Sequence, residues 1–369
     1  MKIMTKLGVI TLLVPLVIFN SENMKLSIEV KQPSILNDKI SQKIETSFIS
    51  KKNVNFPIWF HEYWNFQKAK LEKEQNLNKE SYKIDIANDS YNLNEFSVHS
   101  ENFVLSEELQ SQFDQIINSR VKDFSFYVIS LDKQISFGYN PDDKYSTASS
   151  IKAPYSLFCY KQLEKGVANL EDIKTYTSDF YSDGSGIMQY NDKTNYTIKE
   201  LLYNTIHYSD NIGYAMLYNH FGVDTYNDMI DSLGCSYLKL TPYSEWGFAS
   251  PKEMALVWQE IYNYKDTEYG KLFFDDLLNA KYNFLKNTLP DYQIAHKSGF
   301  SMRGYNDHGI VLDNATPYII SIMFPYPEDN DRHEIIFKQI VKLCNDVINE
   351  YNDYLQKNDS DIKIKELSK

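Results

Sequence analysis

The hydrophobic pattern changes period several times along the chain, and each change predicts an element. Phe124-Ser125-Phe126-Tyr127-Val128-Ile129-Ser130-Leu131 is a short run rich in aromatic and β-branched residues, which predicts a strand. Asp132-Lys133 then reads as a turn and Ile135-Ser136-Phe137-Gly138-Tyr139 as a second strand, so the segment predicts a hairpin. Before it, Ser106-Glu107-Glu108-Leu109 opens a helix that runs to Asn118, with Ser106 as N-cap and two acids at the positive end of the dipole. After it, a helix is expected from Ser149 towards Lys165, stopped by Gly166. Residues 170–285 are mostly helical in pattern. They include Ile198-Lys199-Glu200-Leu201-Leu202 and a helix over 251–262 with Pro251 at an early position. Strands return at 293–297, 308–312 and 317–324, and an amphipathic helix over about 332–355 closes the run.

Helix, hairpin, helical block, three strands and helix is an α+β order. It requires the first hairpin and the last strands to meet in one antiparallel sheet flanked by helices, with the helical block as a second lobe and a cleft between the two. The 369-residue chain is long enough for one such domain plus an appendage, and 43% hydrophobic with 15% aromatic residues is ample for its core.

The remaining stretches divide the chain further. Lys2 and Lys6 precede an apolar run over 7–19, the charge and length of a signal-peptide n-region and h-region and short for a membrane span. Export to the cell surface or beyond is expected. Asn20-Ser21-Glu22-Asn23 gives no small-residue cleavage site, so cleavage and retention of 7–19 as a membrane anchor both stay open. The expected organisation is a signal or anchor over 1–22, a polar accessory or stalk region over 23–104, a catalytic domain over 105–358 and a polar tail over 359–369. The accessory region carries an aromatic knot, Phe56-Pro57-Ile58-Trp59-Phe60 with Tyr63, Trp64 and Phe66. It suits a packed accessory layer better than a membrane or cell-wall contact.

Charge and cysteines narrow the chemistry. A net charge of −12 offers no basic excess for a nucleic-acid backbone. Cys159, Cys235 and Cys344 are widely spaced and odd in number, so they form no metal spacing and no disulfide framework, and read as small buried hydrophobes. No zinc spacing and no Gly-rich phosphate loop occurs, so neither metal nor cofactor is expected.

One stretch, Tyr145-Ser146-Thr147-Ala148-Ser149-Ser150-Ile151-Lys152-Ala153-Pro154, can carry nucleophilic chemistry. Residues three apart share a helix face, so Lys152 comes within reach of the Ser149 hydroxyl. A serine needs a neighbouring base to become a nucleophile. The S-x-x-K spacing alone is weak, because it also occurs at Ser119/Lys122, Ser130/Lys133, Ser236/Lys239 and Ser360/Lys363. Ser149/Lys152 is singled out by two further motifs downstream, Ser209-Asp210-Asn211 and Lys297-Ser298-Gly299. S-x-x-K, S-D-N and K-T-G in that order form the signature of class A β-lactamases and penicillin-binding proteins, and over roughly 106–355 the chain resembles that superfamily.

The resemblance implies an active-site-serine hydrolase that forms an acyl-enzyme with β-lactams or with D-Ala-D-Ala-like peptides of peptidoglycan stems, working as a monomer. It implies Ser149 as nucleophile and Lys152 as its deprotonator or a member of the proton relay. Ser209 would carry a proton to the leaving nitrogen, and Asn211 would orient Lys152 and bind the substrate amide. Lys297 is the second cation beside Lys152 and, with Ser298, the carboxylate-binding pair. Gly299 lets substrate lie against the strand edge. The backbone N–H groups of Ser149 and Phe300 would form the oxyanion hole, and Arg303 is a further carboxylate-binding candidate.

The departure from the family lies between the second and third motifs. Class A enzymes carry an omega loop with E-x-x-L-N, whose glutamate activates the deacylating water. Residues 235–250 here read CSYLKLTPYSEWGFAS, with Glu245 as the sole acid and no such motif. Acylation is therefore expected, and rapid release of a β-lactam is not. Two other readings remain: a catalytically quiet cell-envelope binding protein on the same scaffold, and a β-lactam-sensing ectodomain.

Overall fold

In a computed structural model the chain divides into two units, Met1–Tyr82 and Lys83–Lys369. The structure describes residues 90–119, 123–325 and 330–367, all in the second unit. The expected signal or anchor over 1–22 and the aromatic knot lie outside the described residues.

The chain order is β1 (Phe96–Ser100), α1 (Glu107–Ile117), β2 (Ser125–Ser130), β3 (Ile135–Tyr139), β4 (Tyr145–Ser146), a 3-10 turn over Ala148–Ile151 and α2 (Lys152–Glu164). There follow β5 (Ile173–Thr175), β6 (Asn195–Thr197), α3 (Ile198–His207), α4 (Asn211–Phe221), α5 (Asp224–Ser232), β7 (Phe248–Ala249), α6 (Pro251–Tyr264), α7 (Glu268–Leu278) and α8 (Leu285–Thr288). The last elements are β8 (Ile294–Ser301), β9 (Gly304–Val311), β10 (Tyr318–Phe324) and α9 (Asn330–Leu367). Six strands make one antiparallel sheet in the order β1-β3-β2-β10-β9-β8. The first hairpin and the last strands meet through β2 and β10, as the α+β reading requires.

Both faces of this sheet are covered, which is why its inner strands read as nearly unbroken apolar runs. Alternation along β2 sends Phe126 and Val128 to one core and Tyr127 and Ile129 to the other. The first core lies under α1 and α9, where Phe113, Phe337, Val341 and Ile348 pack on Phe126, Ile320 and Ile322. The second joins the sheet to the helical lobe through α2 and α6, with Tyr155, Leu157 and Trp258 fully buried in it. Truncating a ring such as Phe126 to alanine would cost about 3–5 kcal/mol of stability.

Helix ends follow the sequence signals. Ser106 Oγ accepts the Leu109 N–H at the start of α1, and Thr197 with Glu200 forms a complete capping box on α3. Ser250 Oγ accepts the Glu253 N–H ahead of Pro251 in α6. The three cysteines are free and buried.

Three details differ from the sequence expectations. Phe96–Ser100 lies ahead of the expected domain boundary at 105, yet it pairs with β3 as an edge strand, Phe96 opposite Tyr139. Its single buried position, Phe96, gives a weak strand pattern. The helix expected from Ser149 is two elements, a 3-10 turn carrying the serine and α2 starting at Lys152. The last helix runs on through the residues expected as a tail, to Leu367.

Candidate active site

α2 is buried almost all round, with eleven of its thirteen residues enclosed, so it lacks the polar face of a surface helix. Lys152 at its first position is therefore fully buried, a costly place for an ammonium. The turn ahead of it is held from three sides. Thr147 donates from its N–H and its Oγ1 to the Gly247 carbonyl at 3.1 and 3.0 Å, and Asn306 Nδ2 donates to Ser146 O at 2.7 Å. Ala148 is forced to φ +44°, a left-handed backbone uncommon outside glycine, immediately before Ser149.

Lys152 Nζ donates to Ser209 O and Asn211 Oδ1, both at 2.6 Å, and lies 3.2 Å from Ser149 Oγ and 3.3 Å from Ser209 Oγ. The two short contacts are to oxygens that only accept, so they consume two N–H bonds of the amine. The remaining direction faces the Ser149 and Ser209 hydroxyls, at 3.2 and 3.3 Å. In an ammonium it is a third N–H, and in a neutral amine it is the lone pair that can receive the serine proton. Burial drives Lys152 well below the ordinary lysine range, and the nearby Lys297 charge drives it further; Asp210 and Glu245 oppose them. Burial likewise lowers Lys297, to about 8, against the raising influence of Asp307.

The S-D-N triplet sits between α3 and α4. Ser209 adopts φ +53°, a second strained residue at this site. Asp210 turns into its own lobe, where Oδ1 accepts the Gly213 N–H at 3.0 Å and Oδ2 accepts from Ile187 and Met188 at 2.6 and 2.8 Å. Asn211 Nδ2 donates to Asp183 O at 2.6 Å, so its amide is fixed with Oδ1 towards Lys152.

The third motif lies on β8, at the sheet edge. Lys297 Nζ donates to Ser209 Oγ and to Ser298 O, each at 3.0 Å. Gly299 lets β8 run against the serine turn: a Cβ there would lie 2.4 Å from Thr147 O, 2.7 Å from Ser150 N and 3.1 Å from Ser149 N. Phe300 follows, 55% exposed at the end of the strand.

Two candidates are placed less directly. Ser298 Oγ donates to Tyr282 O at 2.6 Å, so its one hydroxyl proton must turn to reach a carboxylate, which only accepts. Arg303 lies exposed in the turn between β8 and β9, and its guanidinium makes no hydrogen bond or ion pair among the described residues.

Three further residues neighbour the site: Glu245, to which the sequence reading gives no role, Trp246, which it does not single out, and His296, which it reads as a packing or supporting residue beside Lys297. Glu245 is half-buried, raised by that burial and opposed by the charge of Lys152, so it faces the site electrostatically. Its carbonyl accepts from Tyr214 Oη at 2.7 Å. Trp246 lies with its ring 5.4 Å from Lys152 Nζ. His296 is turned to Asp307, its Nδ1 3.2 Å from Oδ1, and supports the strand from behind. The sequence marks Glu245 only as the sole acid of CSYLKLTPYSEWGFAS and gives no sign of Trp246, because both belong to an irregular segment held by side-chain bonds to backbone carbonyls.

Known proteins give the same architecture. The chain is similar in structure to PBP-A, at 22% identity and a TM-score of 0.60, over 66% of this chain and 97% of that one. A mutant of PBP-A in an acyl-enzyme complex with penicillin G matches at 20% identity with the same score, over 66% and 96% of the two chains. A β-lactamase from Sphaerobacter thermophilus matches at 20% identity and 0.58, over 64% and 94%. The TLA-3 extended-spectrum β-lactamase matches at 19% and 0.59, over 66% and 98%. None of the curated proteins matches. A model of the β-lactamase enzyme family matches residues 108–348, more than half of the chain and all three motifs. The chain belongs to the β-lactamase enzyme family.

Proposed function

We propose that this protein is an exported serine hydrolase that forms an acyl-enzyme on Ser149 with β-lactams or D-Ala-D-Ala-like peptides. The observation that carries the reading is the 3.2 Å approach of the buried Lys152 amine to Ser149 Oγ, with its other bonds already committed to Ser209 O and Asn211 Oδ1. A neutral amine so placed takes the serine proton as Oγ attacks the carbonyl carbon. The carbonyl oxygen gains its charge beside the Ser149 and Phe300 N–H groups, which the close approach of β8 at Gly299 supports as an oxyanion site. As the amide C–N bond breaks, the proton passes from Lys152 through Ser209 Oγ to the leaving nitrogen, a relay supported by the 3.3 Å contact. Lys297, Ser298 and the exposed Arg303 are the carboxylate-binding candidates, with Ser298 turning away from Tyr282 O to donate. The apolar run over 7–19 supports export.

The test is intact mass over time after mixing the protein with penicillin G, beside Ser149→Ala. A one-drug adduct on the wild type alone supports the reading. An adduct that persists on Ser149→Ala removes Ser149 as nucleophile, and no adduct on the wild type favours the binding-protein alternative.

A second reading, turnover of the lactam, is favoured by Glu245. A half-buried carboxylate raised by desolvation beside the lysine is suited to accept a proton from water. If it does so, Glu245→Gln lengthens the adduct's life without slowing its formation, and an unchanged lifetime clears Glu245 of the role.

A further inference from the structure

Lys152 is fully buried, and one of the rings beside it is partly exposed. Ser149, Ser209 and Asn211 enclose the amine on the cleft and S-D-N sides. Tyr214, on α4, lies beneath it with its ring 5.9 Å away. Trp246 also lies over the amine, its ring centre 5.4 Å from Nζ, while 37% of the residue remains exposed. One indole therefore touches both the buried amine and the solvent.

The segment is fastened so that the indole stays there. Tyr214 Oη donates to Glu245 O at 2.7 Å, and Ser244 Oγ to Trp246 O at 3.0 Å. The Gly247 carbonyl takes both bonds from Thr147, two residues before the serine. Trp246 also packs on Tyr214, centroids 5.6 Å apart. The hydrogen bonds that hold the segment all end on backbone carbonyls, so changing the side chain of Trp246 loses the ring contact with Tyr214 but none of these bonds.

We propose that Trp246 is a positioning residue that keeps water from Lys152 and from an ester on Ser149, and so sets the lifetime of the acyl-enzyme. The inference rests on the proposed acylation of Ser149. Breakdown of that ester needs a water oxygen to bond to the carbonyl carbon while a base, Lys152 or Glu245, takes its proton. The C–Oγ bond then breaks, Ser149 recovers a proton, and the acid leaves. An apolar lid over the lysine removes the place where that water would stand.

The experiment tracks adduct formation and adduct loss separately, by intact mass with penicillin G, on the full chain and on Trp246→Ala, Trp246→Leu and Trp246→Gln. Thermal midpoints are measured alongside. In Trp246→Ala the adduct is lost roughly tenfold faster or more, with hydrolysed drug accumulating, while its formation slows to the extent that water reaching Lys152 restores the lysine's proton. Trp246→Leu, apolar but without a π face, keeps the wild-type lifetime. Trp246→Gln admits water as Ala does, and replaces it as the informative variant if Ala does not fold. A lifetime within about twofold of wild type in both Ala and Gln overturns the shield. So does a Leu variant that behaves like Ala, since the indole would then act by its π face on the ammonium. Absence of any adduct on the wild type overturns the acylation reading instead, a different result from an adduct whose lifetime ignores residue 246.

Discussion

Lys152 and Lys297 converge on one hydroxyl: the first approaches Ser209 Oγ at 3.3 Å and the second at 3.0 Å, from different lobes. Two buried amines around one oxygen cannot both hold a proton comfortably. Burial lowers both, and the charge of Lys297 lowers Lys152 further. The proton-accepting lysine and the substrate-binding cation are thus set apart by their surroundings, one on the helix beside the nucleophile and one on the strand edge.

That division predicts a bell-shaped pH profile of kcat/KM for acylation. On the acid side the rate rises as Lys152 loses its proton and becomes a base. On the alkaline side it falls as Lys297, near pH 8, loses the charge that holds a substrate carboxylate. Stopped-flow acylation between pH 5 and pH 10 reads both limbs. A rate still climbing through pH 9.5 would mean that the Lys297 charge takes no part in the reaction.

The same burial predicts a conflict between stability and function. The folded state holds the Lys297 proton less tightly than the unfolded chain, whose lysine keeps the usual 10.5. Unfolding is then favoured by proton uptake, fully below about pH 8 and less and less as pH rises towards 10.5. Lys297→Met should stabilise the protein by about 1–3 kcal/mol at pH 7. The gain should shrink at pH 9.5, and acylation should be lost. Urea unfolding at the two pH values measures it, and a variant less stable than wild type at pH 7 contradicts the account.

Gly299 acts through backbone approach. Its missing Cβ is what lets β8 lie against the serine turn, with Thr147 O only 2.4 Å from where that atom would stand. Gly299→Ala must push strand and turn apart, and misplacing reacting groups by such amounts costs about a hundredfold in rate. Acylation should fall by about that factor while the thermal midpoint drops by only a few degrees. Equal loss in Gly299→Ala and a surface control such as Lys271→Ala, on the exposed face of α7, would leave the close approach without functional weight.

Much of this was legible in the sequence, for identifiable reasons. The sheet was readable because β2 and β10 are buried on both faces and are apolar apart from their serines. The α1 start was readable from Ser106, which bonds to its own first turn, and the α6 start from Pro251; the caps Thr197 and Ser250 emerge from the structure. β1 was not, since an edge strand with one buried residue needs little pattern. The 3-10 turn at Ser149 was not, since its shape is imposed by Gly247, Asn306 and β8, all distant in sequence. Glu245 was visible only as the sole acid of its segment and Trp246 was hidden, because the fastening of their loop comes from Tyr214 and Thr147 rather than from local propensity.

Asp210 is the one member of S-D-N that faces away from the chemistry, and it should act on the site only through the loop it holds. Its carboxylate accepts three backbone N–H groups, from Gly213 at the start of α4 and from Ile187 and Met188 across the loop. It also faces Gly186, where a Cβ would lie 2.2 Å from Oδ2. Asp210→Ala leaves those backbone donors unpaired, at about 1–3 kcal/mol for each that stays buried. The loop it releases holds the Asp183 carbonyl that fixes the Asn211 amide, so Asn211 Oδ1 loses its orientation towards Lys152. Stability and acylation should therefore fall together in Asp210→Ala, whereas Asn211→Ala should lower acylation with little change in unfolding free energy. Measuring both variants by urea unfolding and by adduct formation separates the anchor from the site. An Asp210→Ala protein as stable as wild type would show that the loop is held by other contacts.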